Sequence, residues 1–153
     1  MPIQKLKQFL DSQIVQYVTI SHSPAFTAQK IAAAAHIRGK ELAKTVMLKV
    51  DGEMAMAVLP GSMRVDFEFL KVLAEAKHIE LASEEEFENL FPECETGAMP
   101  PFGNLYGMDV YVAEALGEDE EIAFNAGSHT ELIRMTYADF ERLVEPKLGK
   151  FAV

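Results

Sequence analysis

A lysine interrupts the apolar face of one predicted strand, residues 44–50. Alternate side chains of a strand point to the same side, so Lys44 shares its face with three apolar residues. These are Val46, Leu48 and Val50. An ammonium group on a core-facing side needs an ionic partner or an open pocket, because burying it unpaired is costly. The alternative is a strand-end lysine whose long side chain carries its charge to solvent.

A loop rich in glycine and proline, residues 95–103, is the second candidate for chemistry. Gly97 and Gly103 permit backbone conformations closed to other residues, while Pro100 and Pro101 fix φ and stiffen the chain. A stiff loop can present backbone N–H and C=O groups to a small ligand without side-chain chemistry. Glycine and proline also mark ordinary turns, so a structural crossover between a helix and a strand is the alternative.

The four histidines include no pair with the spacing of metal ligands on one element. His36 and His78 lie at predicted element ends and are expected at the surface. His22 follows a predicted strand, where functional loops are common, and His129 follows a Gly-Ser turn beside polar neighbours. Either of these two could line a polar pocket, although a hydrogen-bonded structural role is the simpler interpretation of each alone.

A protein nucleophile is not expected. Cys94 is the one cysteine, so neither an internal disulfide nor a cysteine-rich zinc site can form. Its acidic neighbours Glu93 and Glu95 are expected to raise the pKa of the thiol, which argues against a reactive thiolate. No serine lies in a nucleophile-elbow motif, and no phosphate-binding P-loop or dinucleotide-binding motif is present.

The composition limits the classes of partner. The 153 residues are 49% apolar and 25% charged, which is typical of a globular domain. We expect a single domain over residues 1–153. The formal charge is −10, from 24 acidic against 14 basic side chains. This balance argues against strong nonspecific nucleic-acid binding, yet permits binding of one nucleic-acid end by a few well-placed groups. Because no export signal opens the chain and no stretch is long enough to span a membrane, we expect a cytoplasmic protein.

Periodicity and capping signals predict the elements that position these residues. Helices are predicted over residues 2–12, 27–37, 66–77, 83–90 and 136–144, and strands over 14–20, 44–50, 53–59, 108–113, 121–126 and 129–135. Thr27 is the expected N-cap of the second helix. Capping boxes, in which a Ser or Thr precedes an acid by three residues, open the last two helices.

Two turns are expected to join neighbouring strands as antiparallel hairpins. Asp51-Gly52 is a strong two-residue hairpin signal, and Gly127-Ser128 is typical of a type II′ turn. The regular strand–helix alternation of a parallel sheet is missing. We therefore predict a mixed α/β fold, with a compact, mostly antiparallel and barrel-like sheet surrounded by helices.

Taken in order, several short segments resemble one known family. They are His-Ser-Pro-Ala-Phe-Thr-Ala at 22–28, Ala-Lys-Thr at 43–45, Leu-Pro-Gly at 59–61, Arg-Val-Asp at 64–66, a Gly-x-x-x-Pro loop at 97–101 and Ala-Gly-Ser-His at 126–129. The family is that of the YbaK and prolyl-tRNA synthetase-associated editing domains, and the resemblance spans roughly residues 15–145. It implies an aminoacyl-tRNA deacylase that acts in trans, without a metal or another cofactor, on the ester of mischarged tRNA.

The resemblance also implies the site residues and partners. The strand lysine that matters for activity in such proteins is Lys44 here, and Gly97 and Pro101 belong to the loop that shapes the pocket. Residues expected to bind substrate are His22, Thr27, Ala98, Met99, Pro100, Ser128 and His129. The expected substrate is a tRNA acceptor end, such as tRNA-Pro carrying a small noncognate amino acid, and an aminoacyl-tRNA synthetase is a further candidate partner.

Two other functions stay open on sequence grounds. A noncatalytic module of the same fold could recruit tRNA or a synthetase, and an acidic surface favours a protein partner. A hydrolase of small activated esters could also act without any tRNA. Deacylation, binding without cleavage, and turnover of a free ester distinguish the three.

Overall fold

The computed structural model describes residues 3–153, which form five α-helices, three short 3-10 helices and eight strands. The helices are α1 (Gln4–Ser12), α2 (Ala28–Ala35), α3 (Phe67–Ala74), α4 (Glu84–Phe87) and α5 (Tyr137–Val144). The strands are β1 (Tyr17–Ser21), β2 (Ala43–Val50), β3 (Glu53–Pro60), β4 (Ile79–Leu81), β5 (Asp109–Ala113), β6 (Glu121–Asn125), β7 (Glu131–Thr136) and β8 (Lys147–Gly149). The 3-10 helices are Glu88–Leu90, Gly103–Tyr106 and Glu114–Glu118. Pro2, included in the first predicted helix, lies outside the described residues.

Side-chain caps fix where several helices begin. Thr27 accepts a hydrogen bond from the N–H of Lys30, as predicted, so α2 starts directly after it. Ser83 and Glu86 form the predicted capping box at α4. Thr136 accepts from the N–H of Asp139 at the start of α5. Each cap satisfies a backbone donor that the first helical turn leaves unpaired.

The larger sheet holds Lys44. Its strand order is β4-β2-β3-β5-β8, with β3–β5 and β5–β8 parallel and the other pairs antiparallel. The β2–β3 hairpin turns at Asp51 and Gly52, whose φ angles of 48° and 85° confirm the predicted tight turn. Lys44 pairs with Leu59 in this register. It therefore lies at the end of β2 that is opposite the turn.

The smaller sheet carries the other half of the site. Its order is β1-β7-β6, all antiparallel. Leu42 forms a bridge to Ala123, and the N–H of Ala123 donates to Glu41 O at 3.0 Å. This contact places the middle of β6 next to the start of β2. The mixed, mostly antiparallel α/β fold is confirmed, whereas closure into a barrel is not.

The structure differs from the predicted fold in three respects. The turn at Gly127-Ser128 is not a two-residue hairpin, because β6 ends at Asn125 and β7 begins only at Glu131. Its backbone groups bond instead to the loop around Gly97, as described below. The short edge strands β4 and β8 were not predicted, and the third helix ends at Ala74.

Aromatic packing supports both loops of the site. Phe102 lies 5.4 Å from Phe124 and 5.5 Å from Phe140, measured between ring centroids. All three rings are fully buried. Because Phe102 directly follows Pro101 and Phe124 directly precedes Asn125, this cluster holds the glycine–proline loop against the end of β6. None of the described helices has the length and apolar character needed to cross a lipid bilayer.

Candidate functional site

One cleft of about 180 Å³ opens where the start of β2, the end of β6 and the Gly97 turn meet. Its lining residues come from four stretches of chain: Phe26, Ala28, Ile31, Leu42, Ala43, Lys44, Thr45, Gly97 and Asn125. Lys44 and Gly97, 53 positions apart in the sequence, therefore share a cavity. The lysine and the loop glycine that the family resemblance implies for the site thus meet at one cavity.

A groove larger than this cleft lies elsewhere on the protein. A groove of about 740 Å³ runs beside β1 and includes Lys7, Asp11 and Arg134. Arg134 is paired with Glu41 at 3.7 Å, so its charge is already used within the protein. The smaller cleft is the better candidate because it joins an unpaired cation to a conformationally constrained loop.

Lys44 is a half-buried cation without a counter-charge. Its strand alternation places it beside the apolar cluster that contains Leu48, as the period of two predicts. Among residues 3–153, no side chain forms an ion pair or hydrogen bond with its ammonium. Burial lowers the pKa of Lys44 below its usual value, and the nearby Arg64 guanidinium lowers it further. Two neighbouring cations without an acid favour an anionic ligand.

The Gly97 turn is closed by its own backbone. The N–H of Ala98 donates to Glu95 O at 3.0 Å, and Gly97 sits between them with a φ of +89°. A residue with a Cβ adopts this conformation only with strain, so the turn requires glycine. The N–H of Gly97 donates to the sulfur of Met99 at 3.2 Å. A thioether is a weak acceptor, so a stronger acceptor can displace it.

Three further contacts fasten this turn to the loop between β6 and β7. The N–H of Glu95 donates to Gly127 O at 2.8 Å, and the N–H of Gly127 donates to Ala98 O at 3.0 Å. The carboxylate of Glu95 accepts from the N–H of His129 at 3.1 Å. Because Gly127 and His129 bond across the site, they cannot close a local hairpin turn. Sequence reasoning missed this role of Glu95, whose partners lie more than thirty positions away.

His129 is held in one orientation behind Gly97. Its Nε2 donates to Thr96 O at 3.0 Å, and its buried Nδ1 has no partner among residues 3–153. The Phe26 ring packs against the imidazole at 4.6 Å between centroids. A Cβ built on Gly97 would lie 3.6 Å from Cε1 of His129. The histidine thus supports the turn and the aromatic wall of the cleft.

The segment from His22 to Thr27 forms a third loop of the site. The N–H of His22 donates to Thr130 O at 2.8 Å, and Ala25 donates to His129 O at 3.2 Å. The ring Nδ1 of His22 donates to Ser23 O at 2.7 Å, and its buried Nε2 has no partner among residues 3–153. This loop positions Phe26, which is 71% exposed at the rim.

Most of the other predicted binding residues do not line the cleft. Ala98, Met99, Pro100 and Pro101 are buried beneath the turn. Ser128 bonds within its own loop, where its hydroxyl accepts from the N–H of Thr130. Thr27 is occupied as a helix cap. Their roles in binding or catalysis stay predictions. The lining residues Phe26, Thr45 and Asn125 were not among the predicted site residues, although Phe26 and Thr45 lie within segments that carry the family resemblance.

Two alternative chemistries find no support in the described residues. Burial and the neighbouring Glu93 raise the pKa of Cys94 to about 11, against a smaller opposing effect of a hydrogen bond with Tyr106. The thiol is therefore protonated at neutral pH, as predicted. Among residues 3–153, no group of three or more His, Cys, Asp or Glu side chains could hold a metal ion.

Several basic side chains of the described chain are already neutralised by carboxylates. Three basic residues that could otherwise contact a tRNA are paired with carboxylates: Lys40 with Asp119, Lys49 with Glu86 and Arg134 with Glu41. Lys44 and Arg64 have no such partner among residues 3–153. Lys44 is thus an unpaired cation that lines the cleft.

Comparison with known proteins agrees with this geometry. The sequence model of the aminoacyl-tRNA editing domain matches residues 22–143, which include every lining residue of the cleft. The chain belongs to this family, and the resemblance to YbaK-type editing domains is confirmed.

Individual relatives cover almost the whole chain. The multifunctional Ser/Thr-tRNA deacylase ProXp-y of Escherichia coli (strain K12) is 29% identical over 97% of this chain and 91% of its own length. The hypothetical protein APE2540 has a TM-score of 0.88 at 18% identity, covering 98% of this chain and all of its own. A candidate trans-editing enzyme for prolyl-tRNA synthetase has a TM-score of 0.82 at 19% identity, covering 98% of this chain and 96% of its own. These two structures support the fold.

Proposed function

We propose that this protein is a trans-acting aminoacyl-tRNA deacylase, which hydrolyses the ester bond of mischarged tRNA. The observation that carries the proposal is the single cleft lined by both Lys44 and Gly97. Membership of the editing-domain family supports the reaction class, and so does the E. coli relative named as a Ser/Thr-tRNA deacylase.

The chemistry needs no protein nucleophile, because an aminoacyl ester is already activated. Water or a ribose hydroxyl of the substrate attacks the ester carbonyl, and the developing oxyanion needs fixed donors. The N–H of Gly97 is suited to this task because only the weak sulfur acceptor of Met99 occupies it. The contacts between the turn and His129 hold this donor in place before substrate arrives.

The cations and the exposed aromatic ring are placed to hold the tRNA terminus. Lys44 and Arg64 lack carboxylate partners among residues 3–153, so a phosphate or ribose at the acceptor end can engage them. Phe26, exposed at the rim, offers a face on which a terminal base can stack, worth about 1–3 kcal/mol per base. With a formal charge of −10, the protein is expected to grip this end rather than the tRNA body.

The size of the cleft limits the amino acid. At about 180 Å³ it is smaller than the roughly 300–1,000 Å³ typical of drug-sized ligands, and its floor includes Ala28, Ile31 and Ala43. We propose small substrates, serine or threonine first, as the E. coli relative's name suggests. A tRNA-Pro carrier, cooperation with a synthetase, independence of metals and a cytoplasmic location are further parts of the proposal.

Deacylation assays test the proposal directly. Purified protein is incubated with one tRNA charged in turn with Ser, Thr, Ala and a large amino acid, with and without a chelator. We expect release of the small amino acids, faster than the uncatalysed rate and unaffected by the chelator. Absence of release from every small substrate would refute the deacylase. Tight tRNA binding without release would select the recruitment module, and equal turnover of a free amino-acid ester would select the general esterase.

A further inference from the structure

Asn125 presents an unsatisfied amide to the cleft. It is the last residue of β6, and its Oδ1 is buried yet accepts no hydrogen bond from residues 3–153. Its Nδ2 likewise has no partner among the described residues. The side chain lines the cleft together with Lys44, Thr45 and Gly97.

The neighbours of Asn125 along the chain are apolar, so packing alone would favour an apolar residue at this position. Ile122, Ala123 and Phe124 before it and Ala126 after it are all buried apolar residues. A buried amide oxygen without a donor is destabilising, and native proteins rarely leave one unpaired. A ligand that supplies the missing donor removes this penalty on binding, so the position points to recognition.

The backbone that carries this amide is fixed by its neighbours. Asn125 pairs with Leu132 on β7, and the N–H of the next residue, Ala126, donates to Glu131 O at 3.1 Å. Beyond Ala126, the N–H of Gly127 is fastened to Ala98 O. A polar side chain on a fixed backbone can reach only a small region of the cleft, which favours discrimination between ligands.

Two other buried ring atoms lack partners, but neither belongs to a residue that lines the cleft. They are Nε2 of His22 and Nδ1 of His129. Asn125 is thus the one residue in the described chain that both lines the cleft and has a buried, unpaired side-chain acceptor.

We propose that Asn125 determines specificity by accepting a hydrogen bond from the side-chain hydroxyl of the amino acid to be removed. The inference rests on the proposed deacylase and names the residue that distinguishes seryl from alanyl substrates. A neutral donor suits this position because Lys44 and Arg64 already make the surroundings positive, which disfavours placing the substrate's α-ammonium there. Thr45 also lines the cleft and adds a protein hydroxyl to the polar groups there.

The test compares one tRNA charged with Ser and with Ala, which differ by the hydroxyl. Asn125→Leu keeps the approximate volume and removes the hydrogen bond, whereas Asn125→Asp keeps an acceptor oxygen. We expect Asn125→Leu to lower kcat/KM for the seryl substrate about 10- to 100-fold and to leave the alanyl substrate within about threefold. Asn125→Asp should keep the preference for Ser. Asn89→Leu, the same substitution at an exposed position, should change neither substrate.

Every other outcome of this comparison overturns either the role of Asn125 or the deacylase itself. An equal loss for Ser and Ala would show that the amide contacts a group common to all substrates, and no loss would show that it contacts none; both overturn the proposal. Wild-type protein inactive on both substrates would instead refute the deacylase itself, and the inference with it. If Asn125→Leu fails to fold by circular dichroism, the decision falls to Asn125→Asp and to calorimetric binding of amide-linked seryl- and alanyl-adenosine by the wild type. The seryl compound should bind at least about tenfold more tightly, and equal affinity would refute the proposal.

Discussion

Replacing Gly97 by alanine should separate its role in the cleft from its role in the backbone. Gly97 has a φ of +89°, and the Cβ of an alanine would lie 3.6 Å from His129, an ordinary contact distance. The steric cost is therefore small, and the penalty comes from the backbone, about 1–2 kcal/mol for an L-residue in this region. In a chain of this size that corresponds to a Tm lower by roughly 2–8 °C.

Gly52 supplies a matched control. Its φ is +85°, and a Cβ built there has no atom within 4 Å. It lies in the β2–β3 turn, at the opposite end of β2 from Lys44. Gly52→Ala should therefore cost a similar amount of stability through the same backbone strain while leaving the cleft untouched.

Activity should distinguish the two variants. Gly97→Ala places a methyl group at the cleft and shifts the turn that presents the N–H to the ester, and small misplacements of reacting groups cost up to about 100-fold. We expect kcat/KM for deacylation to fall at least about tenfold for Gly97→Ala and less than about twofold for Gly52→Ala. Thermal unfolding of both checks that the stability losses match. Similar activities at matched stability would refute the assignment of this turn to the site.

Three further outcomes are expected. Burial and Arg64 lower the pKa of Lys44, so activity that needs its ammonium should decline at a lower alkaline pH than for an ordinary lysine. Arg64→Gln should raise the pKa of Lys44 and move this decline to higher pH. A pH profile that does not move would contradict the coupling between the two side chains. Gly127→Ala should lower the free energy of unfolding in urea by roughly 2–5 kcal/mol, because its Cβ would lie 2.4 Å from Cγ2 of Ile3 at a φ of +104°. Adding Ile3→Ala should relieve part of that loss. Strictly additive losses in the double variant would contradict the clash. Cys94→Ala should retain activity and the wild-type thiol should resist alkylation at pH 7.5, because its pKa is raised to about 11; loss of deacylation would revive a thiol mechanism.

Local signals explain which parts of the fold the sequence predicts. Asp51-Gly52 specifies its own turn, and Thr27 and Ser83 specify the helix starts that the structure confirms. The period of two places Lys44 on an apolar face because that pattern depends only on neighbouring residues. Edge strands of three residues, as at Ile79–Leu81, are too short to show a period, so they were missed.

The site itself depends on contacts distant in sequence. Gly127-Ser128 has the composition of a hairpin turn, yet Gly127 bonds to Glu95 and Ala98, about thirty positions earlier. Asn125 likewise looks like an ordinary polar residue at a strand end. Its importance appears only when the structure leaves its amide oxygen buried without a donor. Sequence reasoning found Lys44 because a charged residue interrupts an apolar strand face. It found Gly97 because glycine permits backbone conformations that other residues avoid.

The account depends most on Lys44, which joins the cleft to the proposed reaction. Single-turnover hydrolysis of a seryl-tRNA should be compared for the wild type, Lys44→Ala and Lys77→Ala, an exposed lysine near the far turn whose loss changes the net charge equally. We expect Lys44→Ala to lower the rate at least about 100-fold and Lys77→Ala to match the wild type. Equal rates for all three proteins would contradict the assignment of this cleft as the site of deacylation.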